Sequence, residues 1–245
     1  KSEVLTELPD KTRTIFPVEL DNKSARIYAQ TRLNWMGEYE SRLDRNQPIE
    51  SGFVLQMLTE MRHQCGRLKV PHALQWIDEY LNVAGKPLVV FAHHKDVVKG
   101  ISEPLADKWR TAVITGAVDA MERARIVQEF QDGNIDVLVA STIAAKEGIT
   151  LTKADTTLFI EREWVPAWEE QAEDRVYRIG QESNAVQAVY LSASGTVDEH
   201  FDEVVEQKRT VVKAVLDGGT TDERKGIVTD LLKRMQDYDG FPGGA

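Results

Sequence analysis

The second part of the chain alternates short apolar runs with stretches of helical periodicity, and this alternation restricts the possible folds more than any other feature. Five runs rich in β-branched residues follow Gly85, and segments long enough to hold a helix separate them. Parallel strands need such crossover connections. We therefore predict an α/β fold with a doubly wound, mainly parallel sheet. The predicted strands are Leu88–Ala92, Thr111–Thr115, Asp136–Ala140, Thr156–Ile160 and Val186–Leu191.

Helical periodicity dominates the stretch before this sheet, from about Asp21 to Ala84. Because proline disrupts a helix interior, Pro48 and Pro71 are predicted to divide the stretch into about three helices. Apolar residues recur there at spacings of three and four, which is the pattern of a buried helix face: Ile27, Tyr28, Leu33, Trp35, Met36, Tyr39 and Leu43, then Phe53, Leu55, Leu58 and Met61.

Start and stop signals mark two later helices. Asp119 and Glu122 have the spacing of a capping box, and Gly133 is a suitable helix terminator. Thr196 and Glu199 repeat the capping pattern before a second helix. The buried faces are predicted from Met121, Val127 and Phe130 for the first helix, and from Phe201, Val204, Val205, Val211, Val212 and Val215 for the second.

These signals divide the chain into three predicted parts. Residues 1–84 form a linker and N-terminal helical appendage, and residues 85–217 form the sheet domain. After Gly218-Gly219, residues 218–245 hold one amphipathic helix, Ile227–Met235, and a flexible tail. The polar opening at Lys1, without a methionine, leads us to expect a piece of a larger protein.

The composition limits the class of protein. Cys65 is the only cysteine and cannot form an internal disulfide, and no apolar run approaches the length of a membrane span. We expect an intracellular protein, in the nucleus of a eukaryote or the cytoplasm and nucleoid of a prokaryote. The net charge of −10 argues against a surface that binds nucleic acid uniformly. Any DNA contact must therefore be local.

Two arginines at a spacing of three carry the most specific signal. Arg175 and Arg178 are expected on one face of a helical turn, where both guanidinium groups could reach one anion. An isolated pair of this kind is more often a solvated, salt-bridged helix start. Here the pair belongs to the string from Gln171 to Gln181, QAEDRVYRIGQ. This string resembles helicase motif VI of the Swi/Snf-type DNA-dependent ATPases of helicase superfamily two, Q-A-x-D-R-x-x-R-I-G-Q, at every fixed position.

Further segments resemble the same family in the same order. The segment from Val139 to Leu151 resembles motif V, with Ala145-Lys146 where the commoner spelling has paired glycines; this wording is closer to the annealing-helicase branch. The other resembling segments are Leu88 to His93 (motif IV), Ile114-Thr115-Gly116 with Arg123 and Phe130, and Ala154-Asp155 with Trp164 and Pro166, where Val165 replaces an asparagine. Val4 to Lys11 and Met61 to Cys65 resemble the segments that precede this half.

The resemblance implies a RecA-like C-terminal helicase domain, one half of a double-stranded DNA translocase from chromatin remodelling or DNA repair. ATP and Mg²⁺ would bind mainly to the N-terminal RecA-like domain of the same protein, which is its expected partner. Arg175 and Arg178 would be catalytic, and Gln171, Asp174 and Gly148 would serve ATP binding or coupling. DNA phosphates would be contacted, without sequence specificity, by His93, Thr115, Gly116, Arg123, Ser141, Thr142 and Trp164.

Several missing signals complete the prediction. No phosphate-binding loop occurs, because Gly85-Lys86 is followed by proline. The acidic pairs Asp78-Glu79 and Asp198-Glu199 are interpreted as structural, and no metal site is predicted. We therefore expect this chain alone to be inactive as an ATPase.

Two alternatives remain open at this point. One is the second domain of a DEAD-box RNA helicase, although its motif VI, H-R-x-G-R-x-x-R, differs from the Asp174-Arg175 and Ile-Gly-Gln spelling. The other is a non-catalytic nucleic-acid-binding module that kept the fold but lost the ATPase activity. The retention of both Arg175 and Arg178 argues against it.

Overall fold

The computed structural model describes residues 8–144 and 148–215. Val4, Ala145-Lys146, Gly218-Gly219 and the predicted helix Ile227–Met235 lie outside these residues. In chain order the elements are β1 (Asp10–Val18), α1 (Asn22–Asp44), α2 (Ser51–Ala84), β2 (Leu88–Ala92), α3 (Lys95–Ala106), β3 (Thr111–Ile114), α4 (Ala120–Gln131), β4 (Val137–Ser141), β5 (Thr156–Phe159), α5 (Pro166–Glu173), β6 (Ala185–Ala193) and α6 (Val197–Val215).

The strands form one sheet in the order β1-β6-β5-β2-β4-β3. β2 pairs in parallel with both β4 and β5, while β3 joins β4 and β6 joins β5, also in parallel. β1 runs in the same direction as β6, because the Asp10 N–H donates to the Asn184 carbonyl and the Ser194 N–H donates to the Val18 carbonyl. The predicted doubly wound parallel sheet is confirmed, with small differences at the strand ends.

The central strands β2 and β4 are buried along their whole length. A strand covered on both faces needs apolar side chains at successive positions, which explains the runs LVVFA and VLVAS. Phe91, Phe159 and Tyr190 stack from strand to strand, with ring centroids 5.0 Å and 4.6 Å apart. This core fixes the positions of the strand ends that carry the predicted site residues.

Sequence analysis missed strand β1. It is an edge strand with mostly exposed side chains, so its alternation of buried and exposed residues is weak. The run from Thr12 to Phe16 contains β-branched and aromatic residues and could have been recognised as a strand. Lys11 and Arg13 lie on the same face of β1, because side chains alternate along a strand.

The helix break predicted at Pro71 is wrong, because α2 continues through this residue to Ala84. A proline inside a helix costs about 3 kcal/mol. Burial around it is extensive, since Ala73 and Ile77 are completely buried and Leu68 nearly so. We attribute the continuous helix to this packing, which outweighs the cost of the proline. Pro48 lies between α1 and α2, as predicted.

Helix α4 begins and ends at its predicted signals. Asp119 Oδ1 accepts hydrogen bonds from the N–H groups of Met121 and Glu122, both at 2.9 Å, and Gly133 follows the helix with φ +78°. The predicted burial of Met121 is wrong, because its side chain is 84% exposed. Met121 lies in the first turn, and the inner face is formed by Ile126 and Phe130 further along.

Packing divides the chain into two compact units. The first contains the chain up to Phe16, Lys69–Glu163 and Ala167–Leu191; the second contains Pro17–Leu68, Trp164–Pro166 and the chain from Ser192 onward. The second unit has its own core, formed by α1, the first part of α2 and α6 around residues such as Met57, Met61 and Phe201. The domain limits drawn from the sequence stay a prediction. Over the described part of the chain, no helix is both long and apolar enough to cross a membrane.

Candidate functional site

The two arginines lie just after α5, in the segment from Asp174 to Gln181, which we call the arginine segment. α5 ends at Glu173, and successive turns follow, closed by N–H donation from Tyr177 to the Glu173 carbonyl (3.0 Å) and from Gln181 to the Arg178 carbonyl (3.1 Å). The structure therefore places both arginines in these turns, after the regular helix has ended, and their convergence on one anion stays a prediction. The backbone leaves the helix before the first of them.

Arg178 joins the arginine segment to the loop Gly148–Leu151. Its Nη1 donates to Thr150 Oγ1 at 2.8 Å and to the carbonyl of Gly148 at 3.3 Å. A backbone hydrogen bond adds a second connection, because the Leu151 N–H donates to the Arg175 carbonyl at 2.8 Å. The structure thus brings together Gly148, Arg175 and Arg178, which the sequence assigned to one ATP-related group.

The guanidinium groups of Arg175 and Arg178 influence each other electrostatically. Burial lowers the pKa of Arg175 below its ordinary value, and the positive charge of Arg178 lowers it further, while Asp174 opposes the decrease. Two like charges held near each other disfavour the charged forms unless an anion is present. The positive charge of Arg178 therefore reaches Arg175, as expected if the two guanidinium groups serve one site.

Gly148 requires glycine for a conformational reason. Its φ of +67° lies in the left-handed region, and among the described residues no atom beyond its chain neighbours lies within 4 Å of the position that a Cβ would take. The open space permits close approach of another chain or ligand. Gln171 is exposed in the last turn of α5, and Asp174 accepts a hydrogen bond from Lys11 Nζ at 3.0 Å.

Gln181 holds the end of the arginine segment. Its Nε2 donates to the carbonyls of Ala154 (2.7 Å) and Val176 (3.2 Å), and its Oε1 accepts from the Ser183 N–H at 3.0 Å. One amide side chain therefore fixes three backbone groups around the entry to β5 and β6. The last residue of the motif thus has a clear structural role.

Glu173, at the end of α5, is a buried neighbour of the arginine segment that sequence analysis missed. Its side chain is 1% exposed, and it pairs with Lys11 at 2.5 Å and with both Nε and Nη2 of Arg13 at 2.7 and 2.6 Å. Tyr190 also donates its hydroxyl to this carboxylate. Burial opposes ionisation, but the bonds and charges of Arg13 and Lys11 outweigh it and hold the pKa of Glu173 at about 2. The arginine segment therefore follows a firmly anchored helix end.

The predicted DNA contacts gather at the carboxyl ends of neighbouring strands. His93 follows β2, Thr115 and Gly116 follow β3, and Ser141 and Thr142 stand at the end of β4. Since β2, β4 and β3 are adjacent and parallel, these residues lie along one edge of the sheet. Ligands of open α/β sheets commonly bind at this edge. We call it the carboxyl edge.

Two buried glutamates, also missed from the sequence, organise the carboxyl edge. Glu161 Oε2 accepts from the backbone N–H groups of His93 (2.8 Å) and His94 (3.0 Å), and its other oxygen contacts His94 Nδ1. Glu163 Oε1 lies 2.8 Å from His93 Nδ1 and accepts a hydrogen bond from the Thr142 hydroxyl. Glu161 and Glu163 stand two positions apart just after the buried strand β5. Two acidic residues in this place were the sequence signal from which their role could have been predicted.

The polar groups at the carboxyl edge differ in how they are engaged. Thr142 uses its hydroxyl for Glu163 and its N–H for the Ala92 carbonyl at 3.1 Å. Ser141 Oγ accepts a hydrogen bond from the Ala144 N–H at 3.3 Å. Arg123, in α4, donates from Nη2 to the Val118 carbonyl at 2.8 Å. Gly116 is exposed, with open space where a Cβ would lie. Among these residues, Gly116 offers the most accessible backbone.

Trp164 belongs to the second compact unit and packs on its core. Its ring meets Phe201 edge to face, with centroids 4.9 Å apart, and the guanidinium carbon of Arg62 lies 5.2 Å from the Trp164 ring centroid. Trp164 therefore has a packing role, and its DNA contact stays a prediction.

The acidic pairs have structural partners. Asp78 accepts hydrogen bonds from Lys108 Nζ (2.6 and 2.5 Å) and Trp109 Nε1 (2.9 Å). Glu199 Oε2 accepts from the Gly195 N–H at 3.0 Å at the start of α6. Within the ranges that the structure describes, no group of three or more His, Cys, Asp or Glu residues is placed to hold a metal ion.

Comparison with known sequences gives consistent matches. Residues 72–180 match the helicase conserved C-terminal domain family. The chain is 33% identical over 220 residues to the DNA annealing helicase and endonuclease ZRANB3 of Homo sapiens, covering 89% of this chain and 20% of that protein. It is 31% identical over 217 residues to the SWI/SNF-related matrix-associated actin-dependent regulator of chromatin subfamily A-like protein 1 of Xenopus laevis. This similarity covers 86% of this chain and 22% of that protein. The chain thus spans about a fifth of the length of these curated relatives.

A solved structure also matches the fold. The Sulfolobus solfataricus SWI2/SNF2 ATPase core in complex with dsDNA is similar with a TM-score of 0.72 and 25% sequence identity. The similarity covers 93% of this chain and 50% of that chain.

Proposed function

Because the chain carries the C-terminal RecA-like helicase domain of a Swi/Snf-type protein, we propose that it is the second half of an ATP-dependent, double-stranded DNA translocase. Its partner is then an N-terminal RecA-like domain of the same protein. The chain matches only about a fifth of the length of each curated relative, which supports a protein with further domains. The chain alone is expected not to hydrolyse ATP.

The observation that carries this proposal is the paired arginines beside the loop Gly148–Leu151. Arg178 donates a hydrogen bond to the Thr150 hydroxyl, and the positive charge of Arg178 contributes to lowering the pKa of Arg175. In phosphoryl transfer, negative charge spreads over the phosphate oxygens, and a positioned guanidinium stabilises that charge by a factor on the order of a thousand or more in rate. We assign this role to Arg175 and Arg178 on ATP bound mainly by the other domain.

The residues present fit the phosphates of ATP but not a metal ion. Paired guanidinium groups and the open backbone at Gly148 are suited to an anion. The described residues include no cluster of metal ligands, so we assign Mg²⁺ to the N-terminal domain and derive no step through it. Gln171 and Asp174, which border the arginine segment, are proposed to order it when nucleotide binds.

The carboxyl edge is proposed to contact the DNA backbone. Gly116 and Thr115 offer backbone groups and a hydroxyl, Ser141 and Thr142 stand at the neighbouring strand end, and His93 is partly exposed between them. Hydrogen bonds from such groups to phosphates fix a protein on the duplex without reading its sequence. They also need few lysines, which agrees with a net charge of −10. Arg123 and Trp164 are weaker candidates, because both already make internal contacts.

The test is ATP hydrolysis by the full-length protein, measured with and without double-stranded DNA. We expect DNA to stimulate hydrolysis and R178A and R175A to reduce the stimulated kcat by about a hundredfold or more. R45A, which removes an exposed arginine at the end of α1, is the matched control and should retain wild-type rates.

Three outcomes would contradict parts of this proposal. Equal rates for wild type and R178A would remove the catalytic assignment. Stimulation by RNA rather than by DNA would favour an RNA helicase domain. DNA binding by a full-length wild type that does not hydrolyse ATP would favour a non-catalytic binding module.

A further inference from the structure

Glu163 occupies a junction between the carboxyl edge and helix α5. We infer that Glu163 is a positioning residue, which couples DNA contact at Thr142 to the placement of the arginine segment. This inference rests on the proposed function, because it deepens the link between DNA binding and ATP hydrolysis.

On one side, Glu163 holds two strand ends together. Its Oε1 accepts a hydrogen bond from the hydroxyl of Thr142, at the end of β4, and lies 2.8 Å from Nδ1 of His93, at the end of β2. The side chain is 1% exposed. A carboxylate in this environment needs its donors, because an unsatisfied buried charge is costly. Thr142 and His93 are therefore fixed relative to the chain that follows β5.

On the other side, the backbone of Glu163 is held by α5. Its N–H donates to Glu169 Oε1 at 2.9 Å, and Glu169 forms a two-pronged ion pair with Arg162 at 2.8 and 2.9 Å. The side chains of Arg162 and Glu169 are 2% and 0% exposed. Glu169 lies one helical turn before Glu173, and Glu173 is the last residue of α5 before the arginine segment.

These contacts tie Thr142, at the end of β4, to Glu163 and through it to Glu169. If a DNA phosphate displaces Thr142, either its bond to buried Glu163 breaks, or Glu163 moves with it. The first alternative costs about 1–3 kcal/mol for the unsatisfied group. Movement of Glu163 pulls on Glu169 and so on α5, whose far end leads into Arg175. Glu173 lies one helical turn after Glu169, so such a displacement acts on the ion pairs of Glu173 with Arg13 and Lys11, which hold the start of the arginine segment.

The experiment measures ATP hydrolysis of the full-length protein, with kcat and the KM for double-stranded DNA determined separately. E163L removes both acceptor oxygens, whereas E163Q keeps one carbonyl oxygen for Thr142 and His93. We expect E163L to lower the ratio of DNA-stimulated to unstimulated kcat at least about fivefold, as coupling energies of ordinary size would. E163Q should restore most of the ratio.

A double-mutant cycle with T142V separates coupling from mere loss of packing. T142V removes the hydroxyl but keeps the side-chain volume and leaves Glu163 in place. If Glu163 acts through Thr142, the double variant T142V/E163L should be no worse than the poorer single variant, because both changes interrupt the same connection. Thermal melts of all variants show whether each one folds.

The outcomes distinguish this inference from the proposed function. A wild type that DNA does not stimulate would overturn the proposed function itself. If the wild type is stimulated but folded E163L keeps a ratio within twofold of it, the inference is wrong. Should E163L not fold, T142V alone decides, and a folded T142V whose ratio of DNA-stimulated to unstimulated kcat stays within twofold of wild type overturns the coupling.

Discussion

Arg178 donates a hydrogen bond from Nη1 to Thr150 Oγ1 at 2.8 Å, across 28 positions of the chain. This contact sets the direction of a side chain that would otherwise be free to sample many rotamers, since Arg178 is exposed. A guanidinium aimed in advance at its target loses less entropy when it binds a phosphate.

Replacement of Thr150 by valine should therefore impair catalysis without a change in DNA affinity. T150V keeps the volume but removes the acceptor, and we expect a drop of about tenfold in the DNA-stimulated kcat of the full-length protein. T150S, which retains the hydroxyl, is the matched control and should stay within about twofold of wild type. An unchanged kcat in T150V would show that Arg178 is positioned by other groups.

The stability of the domain should depend on the ionisation of Glu173. The pKa of Glu173 is about 2 in the folded protein, against an ordinary value of 4.5. Because the folded value is depressed, the stabilisation is present above pH of about 4.5 and is lost as the pH falls towards 2. At 1.36 kcal/mol per pH unit, the difference corresponds to about 3 kcal/mol.

E173Q supplies the test of this pH dependence, because it lacks the titrating carboxylate. Urea unfolding of wild type and E173Q should show the largest difference in the free energy of unfolding at about pH 6, and a shrinking difference down to about pH 3. E182Q, at an exposed position just before β6, is the control. A constant difference across this range would refute the assignment.

Gly148 should tolerate a side chain poorly because of its backbone, not for lack of space. G148A forces alanine into the left-handed region at φ +67°, which costs about 1–2 kcal/mol. G116A is the matched control, since that glycine also has open space around it and its φ is not left-handed; its effect should stay within about 0.5 kcal/mol. Chemical denaturation of both variants measures the difference, and equal effects would contradict the argument.

Arg62 should be replaceable by an apolar residue of similar length. It is 2% exposed, its three guanidinium nitrogens have no hydrogen-bond partner among the described residues, and it lies against the rings of Trp164 and Phe201. Removing a buried charge in favour of well-packed apolar atoms is often neutral or stabilising by about 1–4 kcal/mol. We expect R62M to unfold at the same or a higher temperature, and R62A to unfold lower because it leaves a cavity. A strong loss in R62M would reveal an ionic partner of Arg62.

The strands and caps were predictable because their signals are local. The apolar runs of β2 and β4 reflect burial on both faces, and the Asp119 cap and Gly133 terminator act within a few residues of their partners. The resemblance of the string from Gln171 to Gln181 likewise needed only neighbouring residues. The sequence by itself therefore determined the fold class and the family.

Only the tertiary structure decided which distant groups meet. Glu173 pairs with Arg13 across 160 positions, and Glu163 joins the ends of β2 and β4. These contacts depend on which strands become neighbours in the sheet, and no local pattern encodes that choice. For the same reason Pro71 stays inside a helix: packing from distant parts of the chain outweighs a local preference of about 3 kcal/mol.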